Sequence, residues 1–220
     1  MRWIALMWGV AVGAVPPAGA QLVGRLAVLE RGTRPSRDLS DAVVWLDPGP
    51  AAEAGGFDIV MSDKVYVPRV LVVPLGATVR FLNRDPFDHN VFAAGGEHVF
   101  DLGLYGRGET RSATFRRPGL AHIYCNVHPR MVAFVVVMPG RYYTQPAADG
   151  AFRIDGVPAG RYRLHAWHER VAREVIQEVT VGPAAETRVE VTLDARGYRW
   201  QPHRNKFGRE YPTNAGRERY

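Results

Sequence analysis

The chain has one cysteine and seven histidines in 220 residues, no apolar run beyond the 12 residues of 4–15, and no convincing long amphipathic helix. Each scarcity excludes something. A single cysteine cannot form an internal disulfide. Twelve apolar residues are too few to span a bilayer comfortably, so no transmembrane segment is expected in the mature chain. No Ser/His/Asp signature, paired-carboxylate motif or glycine-rich phosphate loop stands out, which argues for a carrier or binding protein and not an enzyme.

Residues 1–20 read as a signal peptide: Arg2 supplies the positive start, 4–15 the apolar stretch, and Pro16-Pro17-Ala18-Gly19-Ala20 an A-x-A-like end. The product from Gln21 onward is then expected in the periplasm or otherwise exported. In an oxidising compartment a free thiol is a liability unless buried or bound to metal, so Cys125 is already a candidate ligand. The formal charge is +6, from 28 basic and 22 acidic residues. Seven basic and two acidic residues fall within 196–220, a basic tail. An exported protein rarely meets nucleic acid, so the tail is expected to be solvated, or to dock on an acidic partner or a membrane surface.

Apolar residues alternate with a period of two almost throughout, punctuated by Gly and Pro. Strands are expected at 22–30, 42–47, 65–73, 77–83, 110–115, 120–125, 132–138, 151–155, 162–168, 174–181 and 187–193. The fold class is all-β, arranged as two sandwiches.

The chemistry is concentrated in Cys125-Asn126-Val127-His128-Pro129-Arg130-Met131, which follows His89 by 36 residues. Two imidazoles, one thiolate and a weak axial thioether form the donor set of a mononuclear blue-copper site, with His89, Cys125, His128 and Met131 as ligands. Structural zinc usually needs four closed ligands and commonly two or more cysteines. A binuclear copper centre needs two bridging cysteines, and multicopper oxidases need paired H-x-H motifs that this chain lacks. On strand 120–125, Cys125 shares a face with Ala121 and Ile123, which turns His122 and Tyr124 away from the metal. Pro129 stiffens the turn that carries His128. His165 and His168 would share one face of a helix but oppose each other on a strand, so both read as structural. His98 and His203 have no neighbouring ligands in sequence. Asp85 and Asp88 read as residues that order the turn before His89.

Residues 57–139 resemble a cupredoxin. The matching stretches are MSDKVYVPRVLVVP (61–74), GATVRFLN (76–83), His89-Asn90-Val91 and the 125–131 loop. The C-x2-H-x2-M spacing and Pro129 are similar to amicyanin. With DLGLYGRGET (101–110), the block looks like the plastocyanin-like proteins often labelled methylamine utilisation proteins. The resemblance implies a Greek-key sandwich and a second-shell hydrogen bond from Asn90 toward the cysteine loop. It also implies an apolar patch around the His128 edge, for which Pro86, Phe87, Val127 and Pro129 are candidates. Asn126 stands where the family usually has Ser or Thr, and Val127 replaces a Pro, so hydrogen bonding around Asn126 is this chain's own.

ADGAFRIDGVPAGRYRLHAW (148–167) is similar to the signature of carboxypeptidase-regulatory-like, transthyretin-type sandwiches. The G-x-V and A-x-V-x-L strands that normally begin that module are missing from 140–195. Counterparts occur at 24–30 and 41–46. Residues 21–56 and 140–195 are therefore expected to fold together as a smaller sandwich, with the copper domain, 57–139, inserted between them. The expected function is an exported blue-copper carrier of single electrons between transient redox protein partners. A copper-delivery protein without redox duty, and a non-redox interaction protein, are the alternatives.

Overall fold

The computed structural model describes residues 20–33, 36, 38–183 and 186–211. The signal peptide expected over 1–20 lies outside the described residues except for Ala20, which heads the first strand and faces Val157 across the sheet. Among the described residues no helix is long and apolar enough to cross a membrane.

The strands in chain order are β1 (Ala20–Leu29), β2 (Val43–Asp47), β3 (Gly56–Ser62), β4 (Val65–Val67), β5 (Val70–Pro74), β6 (Thr78–Asn83), β7 (His89–Ala93) and β8 (Phe100–Tyr105). They continue with β9 (Thr110–Thr114), β10 (Gly119–Tyr124), β11 (Val132–Met138), β12 (Tyr143–Thr144), β13 (Ala151–Val157), β14 (Gly160–Trp167), β15 (Val175–Val181) and β16 (Glu186–Asp194). Sheets ordered β5-β11-β10-β7-β8 and β4-β3-β6-β9 form one sandwich. Sheets ordered β13-β1-β16 and β12-β2-β14-β15 form the other. The chain segments on either side of β3–β11 are thus hydrogen-bonded to each other: β1 runs parallel to β16 and antiparallel to β13, while β2 lies between β12 and β14.

The single strand expected over 65–73 is in fact two. Pro68, which has no N–H to give a ladder, sits with Arg69 at the break. β4 stays with β3, whereas β5 crosses to pair with β11 in the opposite sheet. β7, which alternation does not predict, shows no period of two because all five of its residues are buried.

β11 shows how the two sandwiches meet. Ala133, Val135 and Val137 point into the core of the first sandwich, and Phe134, Val136 and Met138 point out of it into a separate apolar cluster with Val43, Val70 and Val72. Trp45 and Trp167 pack against that cluster, and Phe134 meets Trp167 edge-on at 5.6 Å. A strand buried on both faces needs a continuous apolar sequence, and VAFVVVM is one. At the rim, Arg69 forks onto Glu169 with contacts of 3.2 and 2.5 Å.

His168 follows β14 and is buried. Its Nδ1 accepts the Arg170 N–H at 3.1 Å, and the Arg170 guanidinium continues to Glu30 and Ser36. Burial, then the Arg170 charge, push its pKa from 6.5 to about 4, against the opposite pull of Glu169 and Glu30. The unfolded chain therefore binds a proton here before the folded one does. Stability from this group is complete above pH 6.5 and falls as the pH drops toward 4, by about 1.4 kcal/mol per unit, or about 3 kcal/mol in all. His168→Asn, which keeps an acceptor for the Arg170 amide, should flatten urea-derived stability between pH 4.5 and 6.5. An unchanged slope would show that His168 does not drive this loss.

Candidate metal centre

The site is assembled from the turn between β6 and β7 and from the loop between β10 and β11. Asn83, buried at the end of β6, folds the first. Its Nδ2 donates to the carbonyls of Phe87 (2.9 Å) and Tyr105 (3.1 Å), and its Oδ1 accepts the Asp85 N–H at 2.9 Å. This Asx geometry turns Asp85 inward. Asp85 then accepts from the Asp63 N–H at 2.7 Å, the Lys64 N–H at 3.0 Å and His89 Nε2 at 2.7 Å. Burial raises its pKa, but the hydrogen bonds from Lys64, His89 and Asp63 outweigh burial and hold it below 3.8.

His89, the first residue of β7, is fully buried. Burial lowers its pKa despite the pull of Asp85, so at neutral pH it is an uncharged imidazole. With Nε2–H donated to the carboxylate, the Nδ1 lone pair is left for a metal. Asp85 thus fixes the His89 ring and raises its basicity, as a carboxylate does behind a metal-ligating histidine.

Cys125 follows β10, where Ala121 and Ile123 are buried with it and His122 is exposed, as strand alternation requires. Its Sγ lies 3.7 Å from His89 Nδ1 and 3.7 Å from His128 Nδ1. The three donor atoms all lie within 4.8 Å of one another. Metal–thiolate and metal–imidazole bonds of about 2.3 and 2.0 Å, subtending 120°, put sulfur and nitrogen about 3.7 Å apart. The observed spacing therefore fits a trigonal metal plane. The Val127 N–H points at Sγ from 3.5 Å, and backbone N–H groups of Asn90 and His128 also face it. Burial nevertheless keeps the thiol pKa above its usual 9.0. A bound cation is what would hold this sulfur as thiolate.

Met131 closes the loop. Its carbonyl accepts the Cys125 N–H at 3.3 Å, its own N–H donates to the His128 carbonyl at 3.0 Å, and its side chain is buried in the same core cluster as Cys125. Phe87 packs on both imidazoles, with centroids 5.2 Å from His89 and 5.5 Å from His128. His128, Val127 and Pro129 are half-buried and Pro86 is exposed, so the loop carrying His128 is partly open to solvent.

The hydrogen bond expected from Asn90 toward the cysteine loop comes from its backbone N–H, which faces the thiol. Its side-chain amide donates to Asp101 at 2.7 Å, and its Oδ1 is buried without a partner. Asn126 Oδ1 accepts the Lys206 N–H at 2.9 Å. His203, which has no case as a ligand in the sequence, stacks on Tyr124 at 4.3 Å. His165, inside β14, stacks on Trp45 at 4.8 Å, away from this cluster. Sequence reasoning missed Asp85 as the partner of His89. The available signal was an acid four residues before the histidine, in a turn with no helix to make that spacing meaningful.

The carboxypeptidase regulatory-like domain family matches residues 132–194. The first strand of that match, β11, belongs to the other sandwich, which carries Cys125, while β1 and β2 supply the strands that pair with the rest. No curated protein matches the chain. Among solved structures, a copper-containing nitrite reductase from Thermus scotoductus SA-01 is 28% identical with a TM-score of 0.38, covering 43% of this chain and 25% of that one. A purple cupredoxin from Nitrosopumilus maritimus is 26% identical (TM-score 0.34; 39% of this chain, 100% of that one). An oxidised mutant of amicyanin is 26% identical (TM-score 0.36; 43% and 98%). The chain thus spans a quarter of the nitrite reductase but nearly all of the small cupredoxins. Sheet order, donor set and family match together describe a cupredoxin-like sandwich joined to a carboxypeptidase-regulatory-like one.

Proposed function

We propose that this chain is an exported mononuclear blue-copper protein that carries single electrons between larger redox partners. The observation that carries the reading is the buried Cys125 sulfur, 3.7 Å from the Nδ1 of both His89 and His128. Copper, when bound, supplies the one-electron Cu(II)/Cu(I) couple. His89, Cys125 and His128 would hold it, with Met131 as a further, weaker donor. The Asp85 carboxylate keeps the His89 lone pair turned toward the metal. Val127, Asn90 and His128 aim N–H groups at the sulfur, which stabilises its negative charge in both oxidation states. Phe87, wedged against both imidazoles, excludes water from one side. The half-buried His128 is the route by which the electron leaves. Partners would touch the surrounding Pro86, Phe87, Val127 and Pro129 briefly, as small redox encounters do. The burial of Cys125 is compatible with export, because a lone thiol survives an oxidising compartment when buried or metal-bound.

Adding Cu(II) to the protein from Gln21 onward should give intense thiolate-to-copper absorption and a matching paramagnetic resonance signal. Both should vanish in Cys125→Ser. A colourless parent would remove the copper reading. Met131→Leu should shift the spectrum and the reduction potential while binding persists; if neither moves, Met131 is not the axial donor. Repeated reduction and reoxidation without metal loss would mark a carrier, and prompt release of Cu(I) would mark a delivery protein.

A further inference from the structure

The basic tail is not free in solution over its described part. Its chain turns back over the 125–131 loop after Ala195. The Arg130 guanidinium lies 5.2 Å over the Trp200 ring, and His203 stacks on Tyr124 with its ring only 23° from parallel. A compact turn follows, in which the Phe207 and Arg209 N–H groups both donate to Asn205 Oδ1 at 3.0 Å. From this turn the Lys206 N–H donates to Asn126 Oδ1 at 2.9 Å, and Lys206 Nζ meets Asp101 at 2.6 Å. Tyr211 Oη then donates to the Cys125 carbonyl at 2.8 Å.

Both main-chain polar groups of Cys125 are thereby fixed. The N–H is held by Met131 from within the loop, the carbonyl by Tyr211 from outside it. The backbone torsions of Cys125 set the direction of its sulfur, so a contact that fixes them also fixes where the sulfur points. The opposite wall of the site is reached through Asp101. One of its oxygens takes Lys206 Nζ and the other takes Asn90 Nδ2, and the Asn90 backbone N–H faces the thiol.

We propose that residues 198–211 form an intramolecular strap in which Tyr211 and Lys206 are positioning residues, holding the Cys125–Met131 loop in its ligand geometry before metal arrives. The effect on copper rests on the function proposed above; the effect on the loop does not. The strap also lies over Tyr124, and its His203 meets the His128 backbone, so this part of the loop is covered by the protein's own chain. A charge count sees a tail of one sign and sends it to solvent, but Trp200, His203 and Tyr211 bring it back.

The test uses Tyr211→Phe, which deletes one oxygen, and a chain ended at Ala195. In metal-free protein, hydrogen exchange of amides 126–131 should quicken by about ten-fold in Tyr211→Phe, the loss expected of one hydrogen bond, and by more in the shortened chain. Amides of β10 and β11 should exchange as in the parent, and the global unfolding midpoint of Tyr211→Phe should stay close to it. In the copper-loaded form, the relative intensity of the thiolate-to-copper bands should change, and Cu(I) should pass to a chelator about ten-fold faster, since the loop no longer holds its shape against metal loss. Unchanged loop exchange and an unchanged spectrum in Tyr211→Phe would overturn the strap, even if the shortened chain failed to fold. A parent that takes up no copper, with faster loop exchange in Tyr211→Phe, would leave the strap standing and sink the copper reading. A coloured parent with exchange and spectrum unmoved by either variant would do the reverse.

Discussion

Asp85→Ala should destabilise the metal-free protein by about 3–5 kcal/mol, because it strands three hydrogen-bond donors at about 1–3 kcal/mol each. Three donors lose their acceptor together: the N–H groups of Asp63 and Lys64 and the Nε2–H of His89. The first two belong to the β3–β4 turn, where Asp63 and Lys64 both sit in the left-handed region, at φ 56° and 62°. Such a pair of non-glycine residues is costly, and Asp85 offsets the cost from across the site.

Asp85→Asn is the finer experiment. Asp85 Oδ1 serves Asp63, while Oδ2 serves both Lys64 and His89. An amide must turn its NH2 toward one set of donors or the other, so it fails in either orientation and should cost about 2 kcal/mol. With its NH2 on the His89 side it would also favour the tautomer protonated at Nδ1, which faces Cys125. The copper form of Asp85→Asn should therefore bind Cu(II) more weakly and show a raised reduction potential, because a less basic imidazole favours Cu(I). A variant with parental stability and potential would show that the carboxylate neither supports the turn nor tunes the ligand. The acid behaviour has a definite sign. With the folded-state pKa held below 3.8, the contribution of Asp85 is complete above that value and is lost as the pH falls through the lowered one.

What could be read from the sequence, and what could not, divides along a physical line. Patterns local in the chain were legible. The alternation that buries Ala121, Ile123 and Cys125 while exposing His122 depends only on a period of two, and the 132–138 strand has the expected bounds. The loop from Cys125 to His128 brings its donors together as its spacing implied. Interactions set by long-range contact were hidden. Asp85 owes its role to amides more than twenty residues earlier, and Tyr211 reaches Cys125 across 86 residues. The break at Pro68 could be guessed from the missing N–H, but the crossing of β5 to the opposite sheet depends on a partner, β11, that lies far down the chain. The two-sided burial of β11 was visible as an unbroken apolar run. The surface that covers its outer face, built around Val43, Trp45 and Trp167, was not.

Gly150→Ala should cost about 4 kcal/mol, and the reason lies in how the two ends of the chain are joined. Gly150 closes the turn before β13 at φ +86°, and its carbonyl accepts the Leu26 N–H of β1 at 2.8 Å. A Cβ there would stand 2.0 Å from the Leu26 carbonyl oxygen and 2.9 Å from Leu39 Cδ1. The side chain of Leu39 can yield, but the backbone of β1 is held on both edges, by β13 and by β16. Left-handed strain of about 1–2 kcal/mol, overpacking of about 1–3 kcal/mol and a weakened hydrogen bond of about 1 kcal/mol all add on one side. Gly156 separates these contributions: at φ +69° with nothing within 4 Å of its would-be Cβ, Gly156→Ala carries the strain without the collision. Urea unfolding should therefore place Gly156→Ala within about 1–2 kcal/mol of the parent and Gly150→Ala well below it. Exchange of the Leu22–Val28 amides should rise in Gly150→Ala, because the contact that fails is between β1 and a turn more than 120 residues later. Equal losses in the two variants would mean that the turn does not bear on β1, and that the strand is held by its ladders with β13 and β16 without help from Gly150.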